Sequence, residues 1–355
     1  MSSADVKMEK HSPQYSRFLG SALLQCNRVI VLNTRLKDLL FVFMLGVLCP
    51  TVIFAFVNKK SEPEKMQETI RKETTVLEET KPKEYFLRVV VDSDKIENME
   101  LDTYLTSVVL REMPASFEKE ALKAQAVVAR TYALRRQESG GKHIGADVCT
   151  SPSCCQGYCT IEEFVANGGT QEEIEKVKDA VMSTKNQVLT YKGKLTEATY
   201  FSCSGGLTED AQAVWGSDIP YLQSVESPGE ENAGAFTDTV SLSVNEFKNK
   251  LGSNLSGKPE SWIEGVTYTD GGGVDTITIC GAKYKGTEFR SLLGLRSTSF
   301  VITIVGDSIT ITTKGYGHRV GMSQYGADAM AVKGSNYKEI LAHYYVGTQI
   351  SQYEG

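Results

Sequence analysis

Glu112 is the residue in this chain best placed for acid–base chemistry. Apolar side chains recur at Leu101, Leu105, Val108 and Val109, the period of one helix face. Counting from Leu101, Leu105 is four residues on, Val108 seven and Glu112 eleven, so Glu112 extends the apolar stripe. A carboxyl carried inward on such a face is partly desolvated. Its pKa rises and it stays protonated nearer neutral pH. That is the state a glycosidase general acid needs. A structural ion pair with Arg111 or Arg130 would produce the same pattern, and spacing alone leaves both readings open.

Two further clusters carry chemistry-bearing side chains. His143, Cys149, Cys154, Cys155 and Cys159 lie close together in sequence. Four Cys or His ligands on short loops suffice for a tetrahedral zinc site, here with His143, Cys149, Cys154 and Cys155 as the ligand set. Disulfides are the alternative if the domain lies outside the cytoplasm, and sequence does not choose the pairing. The zinc would be structural, and the chemistry itself needs no cofactor. The second cluster is Gly315, Gly317, Gly321 and Gly326. Its G-x-G-x-x-x-G spacing misses the dinucleotide fingerprint, and no βαβ unit surrounds it. It reads instead as a loop that lets backbone approach a sugar, with His318, Ser323, Gln324 and Tyr325 as donors and acceptors. Ser202 and Ser204, beside Gly205 and Gly206, are expected substrate contacts. Arg130, eighteen residues after Glu112, is expected to orient it or to bind substrate. A serine hydrolase is hard to assemble from four histidines and no G-x-S-x-G.

The elements that must position these residues follow from the pattern. A strand begins at Phe86. The helix carrying Glu112 stops there because Pro114 disfavours helix at Met113. A second helix, rich in alanine, runs to about Gln137, with Ser116 as its expected N-cap. Residues 138–170 read as loop, and 171–183 as helix. Strands are expected at 187–191, 197–202, 265–269, 274–280, 300–305 and 309–313. Helices are expected near 245–251, 323–332 and 337–344, while the tract 205–260 reads as polar and irregular. The mixed order points to an α+β fold, antiparallel-rich, forming a substrate cleft.

Upstream, residues 39–57 are uncharged and mostly apolar, close to the roughly 20 residues that span a bilayer. A cleaved signal peptide is the alternative, but the sequence after the run is a poor cleavage match. The expected organisation is therefore a cytoplasmic segment 1–38, one transmembrane helix 39–57, a charged extracytoplasmic linker 58–84 and a folded domain 85–355 in a single-pass cell-membrane protein. Flanking Lys and Arg are balanced, so charge does not set the orientation. The net charge of −6 excludes nucleic acid as the expected partner.

Three blocks carry a resemblance. They are Arg111 to Phe117 with Glu120 to Ala126 and Ala129 to Tyr132; Tyr200 to Glu209 with Val214 and Trp215; and Gly315 to Ala327. In order and content they resemble the stage II sporulation protein D family over most of residues 85–350. That resemblance implies a lytic transglycosylase with Glu112 as its acid. Such an enzyme cuts the β-1,4 bond between N-acetylmuramic acid and N-acetylglucosamine and leaves a 1,6-anhydro product. The expected substrate is glycan stripped of stem peptides, during engulfment in sporulation. The expected partners are the amidase stage II sporulation protein P and stage II sporulation protein M. The family also includes amidase enhancers, so a non-catalytic activator is the alternative. An intramolecular reaction accounts for the lack of a clear second carboxylate, for which Glu209 and Asp210 are the remaining candidates.

Overall fold

The computed structural model describes residues 83–92, 95–252 and 255–355. The segment 1–38, the span 39–57 and nearly all of the linker lie outside the described residues. Among the described residues, no helix is long and apolar enough to cross a membrane.

β1 (Phe86–Asp92) and β2 (Lys95–Glu100) form an antiparallel hairpin, with Leu87 opposite Met99 and Val89 opposite Glu97. Leu87 and Val89 face the core while their neighbours face out, the period of a half-buried strand. Glu100 ends β2 and caps α1 (Leu101–Glu112), its carboxylate accepting from the Asp102 and Thr103 amides at 3.1 and 2.6 Å. Met113 is extended, φ −128° and ψ 134°, as the following proline requires. α1 therefore ends on Glu112.

α2 (Lys119–Glu138) is the central helix and packs against α1 and α4 (Gln171–Ser183). It also touches β4 (Gln187–Tyr191) and the two C-terminal helices. Its alanines at 121, 124, 126, 129 and 133 are all fully buried, which lets neighbours approach on several sides. Its N-cap is Glu118 rather than Ser116, and no side chain caps it. Between α2 and α4 lie β3 (Val148–Cys149), parallel to β1, and α3 (Ile161–Ala166).

β5 (Lys194–Leu195) and β14 (Gln349–Gln352) flank β4 antiparallel. β6 (Tyr200–Phe201) is shorter than the expected strand and pairs parallel with β13 (Met322–Ser323). α5 (Ala211–Trp215) follows β6, while α8 (Gln324–Val332) and α9 (Tyr337–Tyr344) follow β13.

The tract expected to be irregular instead opens a second hydrophobic core. β7 (Thr237–Ser243), β11 (Phe300–Val305) and β12 (Ser308–Lys314) form one antiparallel sheet in the order β11-β12-β7. β8 (Ile263–Tyr268), β9 (Val274–Ile279) and β10 (Ala282–Lys285) form another. α6 (Val244–Leu251) and α7 (Gly286–Leu293) complete this unit. Phe247, Trp262, Phe289 and Phe300 fill its interior, apart from the main core. The chain leaves and returns at one point, where the Gly315 amide donates to Phe236 O at 2.8 Å. The whole is an α+β fold in which antiparallel pairs predominate.

Candidate active site

Glu112 stands between two cavities. One, of about 540 Å³, is lined by the 110–117 turn with Phe164, Ser202 and Tyr325. The other, of about 590 Å³, is lined by Gln156, Gly157, Tyr200, Phe201 and His318, among others. Arg111, Glu112, Ser202 and Gln324 belong to both walls. The Glu112 side chain therefore borders both spaces.

Glu112 is half-buried, and its Oε1 accepts a hydrogen bond from the Gly157 backbone N–H. The Tyr200 hydroxyl lies near enough to the same carboxyl to favour its ionised form. Gln156 Nε2 donates to the Tyr200 oxygen at 3.1 Å, and Tyr104 donates to Gln156 Oε1 at 3.4 Å. Burial pushes the Glu112 carboxyl above its ordinary pKa, although Gly157, Tyr200 and the Arg111 charge each pull it down. Desolvation outweighs the donors, which favours the protonated form. This chain of partners was not evident from helical spacing. Tyr104 does lie two turns from Glu112 on the same helix, and Tyr200 opens one of the motif blocks.

Neither of the two other candidate carboxylates reaches the cleft. Glu209 is buried against Arg319 at 3.2 Å and accepts from Thr269 at 2.8 Å. Asp210 caps α5 through the Gln212 amide at 2.6 Å. Glu173 lines the first cavity but is held in a capping box with Thr170.

The expected substrate residues divide into two groups. Ser202, Gln324 and Tyr325 line the cleft, and His318 lines its second cavity. Gln324 is 6% exposed, and its Nε2 has no partner among the described residues. The residue lines both cavities, while that donor atom is itself buried. His318 Nδ1 accepts from the Val320 amide at 3.1 Å. Burial and nearby Arg290 pull its imidazole down to about 4, so the ring is neutral near pH 7.

Arg130, Ser204 and Ser323 are placed elsewhere, all fully buried. Arg130 pairs with Asp102 at 3.3 Å and donates to Thr184 O at 2.8 Å and Val181 O at 3.0 Å. It braces α1 and α2 against the end of α4, away from Glu112. Ser204 and Ser323 both donate to the buried Glu230. The glycines of the 315–326 loop are packed against the protein itself. A Cβ on Gly315 would strike the Ser204 carbonyl, and one on Gly317 the Phe201 side chain. Close packing of this loop on the 201–204 segment accounts for both glycines.

The thiol–imidazole cluster is assembled. Ligand atoms of His143, Cys149, Cys154 and Cys155 all lie within 4.8 Å of one another. His143 Nε2 is 3.4 Å from Cys155 Sγ and 3.7 Å from Cys154 Sγ, and the two sulfurs are 3.9 Å apart. Zinc bonds of about 2.0–2.3 Å in a tetrahedron need ligand separations of roughly 3.5–3.8 Å; His143, Cys154 and Cys155 stand near that spacing, and Cys149 is a fourth thiol within 4.8 Å. The described cysteines are all free thiols. Cys155, Gln156 and Gly157 are consecutive, so the same loop carries a cluster thiol and the donor to Glu112.

Comparison with known proteins identifies the chain's relatives. Residues 90–191 match the family model described as stage II sporulation protein, a stretch that includes Glu112 and the cysteine cluster. Stage II sporulation protein D of Bacillus subtilis (strain 168) is 42% identical over 265 residues, 73% of this chain and 77% of the relative. The protein of that name from Bacillus amyloliquefaciens is 41% identical, covering 72% of this chain and 76% of its own length. A protein named amidase enhancer from Bacillus subtilis (strain 168) is 30% identical, over 70% of this chain and 40% of the relative. With a family-model match across the acid's helix and two relatives aligned over most of their length, the chain belongs to the stage II sporulation protein D family.

Proposed function

We propose that this protein is a lytic transglycosylase acting on peptidoglycan glycan strands during engulfment. The observation that carries the reading is a single half-buried carboxyl, raised in pKa, bordering two cavities. Glu112 protonates the glycosidic oxygen that leaves with N-acetylglucosamine. The resulting carboxylate then accepts the proton of the muramic acid C6 hydroxyl as that oxygen closes onto C1. Proton and bond counts balance without water, and one carboxyl serves both steps. Ser202 and Gln324 line both cavities beside Glu112, and neutral His318 packs and hydrogen-bonds without bringing charge. Zinc held by His143, Cys149, Cys154 and Cys155 would fasten the loop that carries Gln156 and Gly157. Residues 39–57 would anchor the chain in the membrane with the linker 58–84 and the domain 85–355 outside. An amidase such as stage II sporulation protein P would prepare denuded strands, with stage II sporulation protein M as a further partner.

The test is mass spectrometry of products from purified denuded glycan. The parent protein should release anhydro-sugar ends and Glu112→Gln should release none while keeping its fold. Undiminished products from the variant would remove Glu112 from the mechanism. A second reading, a non-catalytic activator of an amidase, is favoured by the amidase enhancer relative. In that case Glu112→Gln would stimulate a purified amidase as well as the parent does, and neither protein would release anhydro ends.

A further inference from the structure

Two large aromatic side chains stand exposed beside the second cavity, and the acid–base site uses neither. Trp215 is 42% exposed and Tyr316 is 48% exposed. Tyr316 and His318 line that cavity. Trp215 packs on His318 with ring centroids 5.3 Å apart, and Phe201 lies on His318 at 5.7 Å. Phe201 in turn follows Tyr200, the partner of Glu112. The rings thus run outward from the acid toward solvent.

The exposed rings are held in place. Trp215 ends α5, which Asp210 caps at its start and Gly216 closes in the left-handed region at φ 72°. Tyr316 exchanges backbone hydrogen bonds with Cys203 in both directions, at 2.7 and 3.2 Å. The Arg296 guanidinium covers one face of its ring at 5.4 Å and is itself tied to Asp238 at 3.3 Å. An exposed aromatic that is fixed rather than free loses little entropy on binding.

We infer that Trp215 and Tyr316 form a distal platform that grips a pyranose ring of the glycan strand, beyond the sugars held at Glu112. A pyranose offers a flat C–H face and a polar edge, which matches an aromatic ring with one open side. The occupant follows from continuity, because a strand leaving the second cavity past His318 meets these rings next. This inference rests on the glycan reading above.

The experiment uses the Glu112→Gln protein and β-1,4-linked N-acetylglucosamine oligomers, a disaccharide and a hexasaccharide. The chain has two tryptophans, and Trp262 is 1% exposed, so emission changes on binding report on Trp215. The hexasaccharide should change that emission and the disaccharide should not. By calorimetry, Trp215→Ala should weaken hexasaccharide binding about tenfold, the scale of one aromatic contact, and leave the disaccharide unchanged. Trp215→Phe should keep most of the affinity, and Tyr316→Ala should repeat the selective loss. Equal hexasaccharide affinity in parent and Trp215→Ala, with silent emission, overturns the platform and leaves the glycan reading standing. Failure of every oligomer to bind any of these proteins overturns both.

Discussion

The backbone N–H of Gly157 donates to the carboxyl of Glu112, joining the cysteine-bearing loop to the end of α1. A Cβ at position 157 would lie 3.0 Å from both Glu112 Oε1 and Arg111 Cγ. Gly157→Ala should therefore displace the carboxyl while leaving the core intact. Steady-state kinetics should show kcat reduced about 100-fold, the scale of a misplaced reacting group, with KM little changed.

Glu112 also predicts a pH dependence. Its carboxyl is raised by burial, so the acid form persists above the ordinary range and activity should fall as pH rises through that raised value. Stability follows the same sign. A raised carboxyl favours the folded state below its unfolded pKa, and that advantage is lost as pH rises through the folded one. Glu112→Gln should melt higher than the parent near neutral pH, with the gap narrowing in acid. Calorimetric melting across pH checks this.

Tyr200→Phe tests the donor chain. The hydroxyl lowers the Glu112 pKa, so its loss should move the basic limb of the pH–rate profile upward. It also leaves Gln156 Nε2 without its Tyr200 partner, at a cost of about 1–3 kcal/mol in stability. A purely structural tyrosine would lower stability and leave the limb where it was.

Much of this geometry was legible in sequence, for identifiable reasons. Period and proline together located the α1 terminus and hence Glu112. The 171–183 helix shows its capping box, Thr170 with Glu173, directly in the chain. Arg130, Ser204 and Ser323 were not legible, because a motif does not reveal which way a polar side chain points. Their partners Asp102 and Glu230 are remote in sequence. The β7 strand was hidden because its burial alternates weakly, Thr-Asp-Thr-Val-Ser-Leu-Ser being mostly polar. The links from Gly157 and Tyr200 to Glu112 come only from tertiary folding.

The cysteine cluster gives a metal prediction with readouts apart from activity. Elemental analysis of protein purified without chelator should find zinc bound. Cys155→Ser should lose it and lower the melting temperature. Metal-free parent protein with unchanged melting would count against the site.

Arg319 is nearly inaccessible and pairs with Glu209. Burial lowers the Arg319 pKa and raises that of Glu209, so the pair is costly to bury and more costly to break. Arg319 also donates to Ser204 O, Leu207 O and Gly271 O, each at 2.7 Å. Arg319→Met should destabilise by about 3–5 kcal/mol, measured by denaturant unfolding.

That same Gly271 contact, together with the Gly315 to Phe236 hydrogen bond, defines how the second core is attached. Its two ends meet, so residues 237–314 behave as a pendant module whose replacement by a short turn is geometrically open. Such an exchange would cost the clasp on Arg319, one residue past His318, together with the Thr269 hydrogen bond to Glu209 and the Arg296 cover on Tyr316. Variation within the module can thus reach the cleft through that clasp, through Arg290 near His318 and through Arg296 on Tyr316, while the path from Glu112 to its own donors stays wholly within the main body.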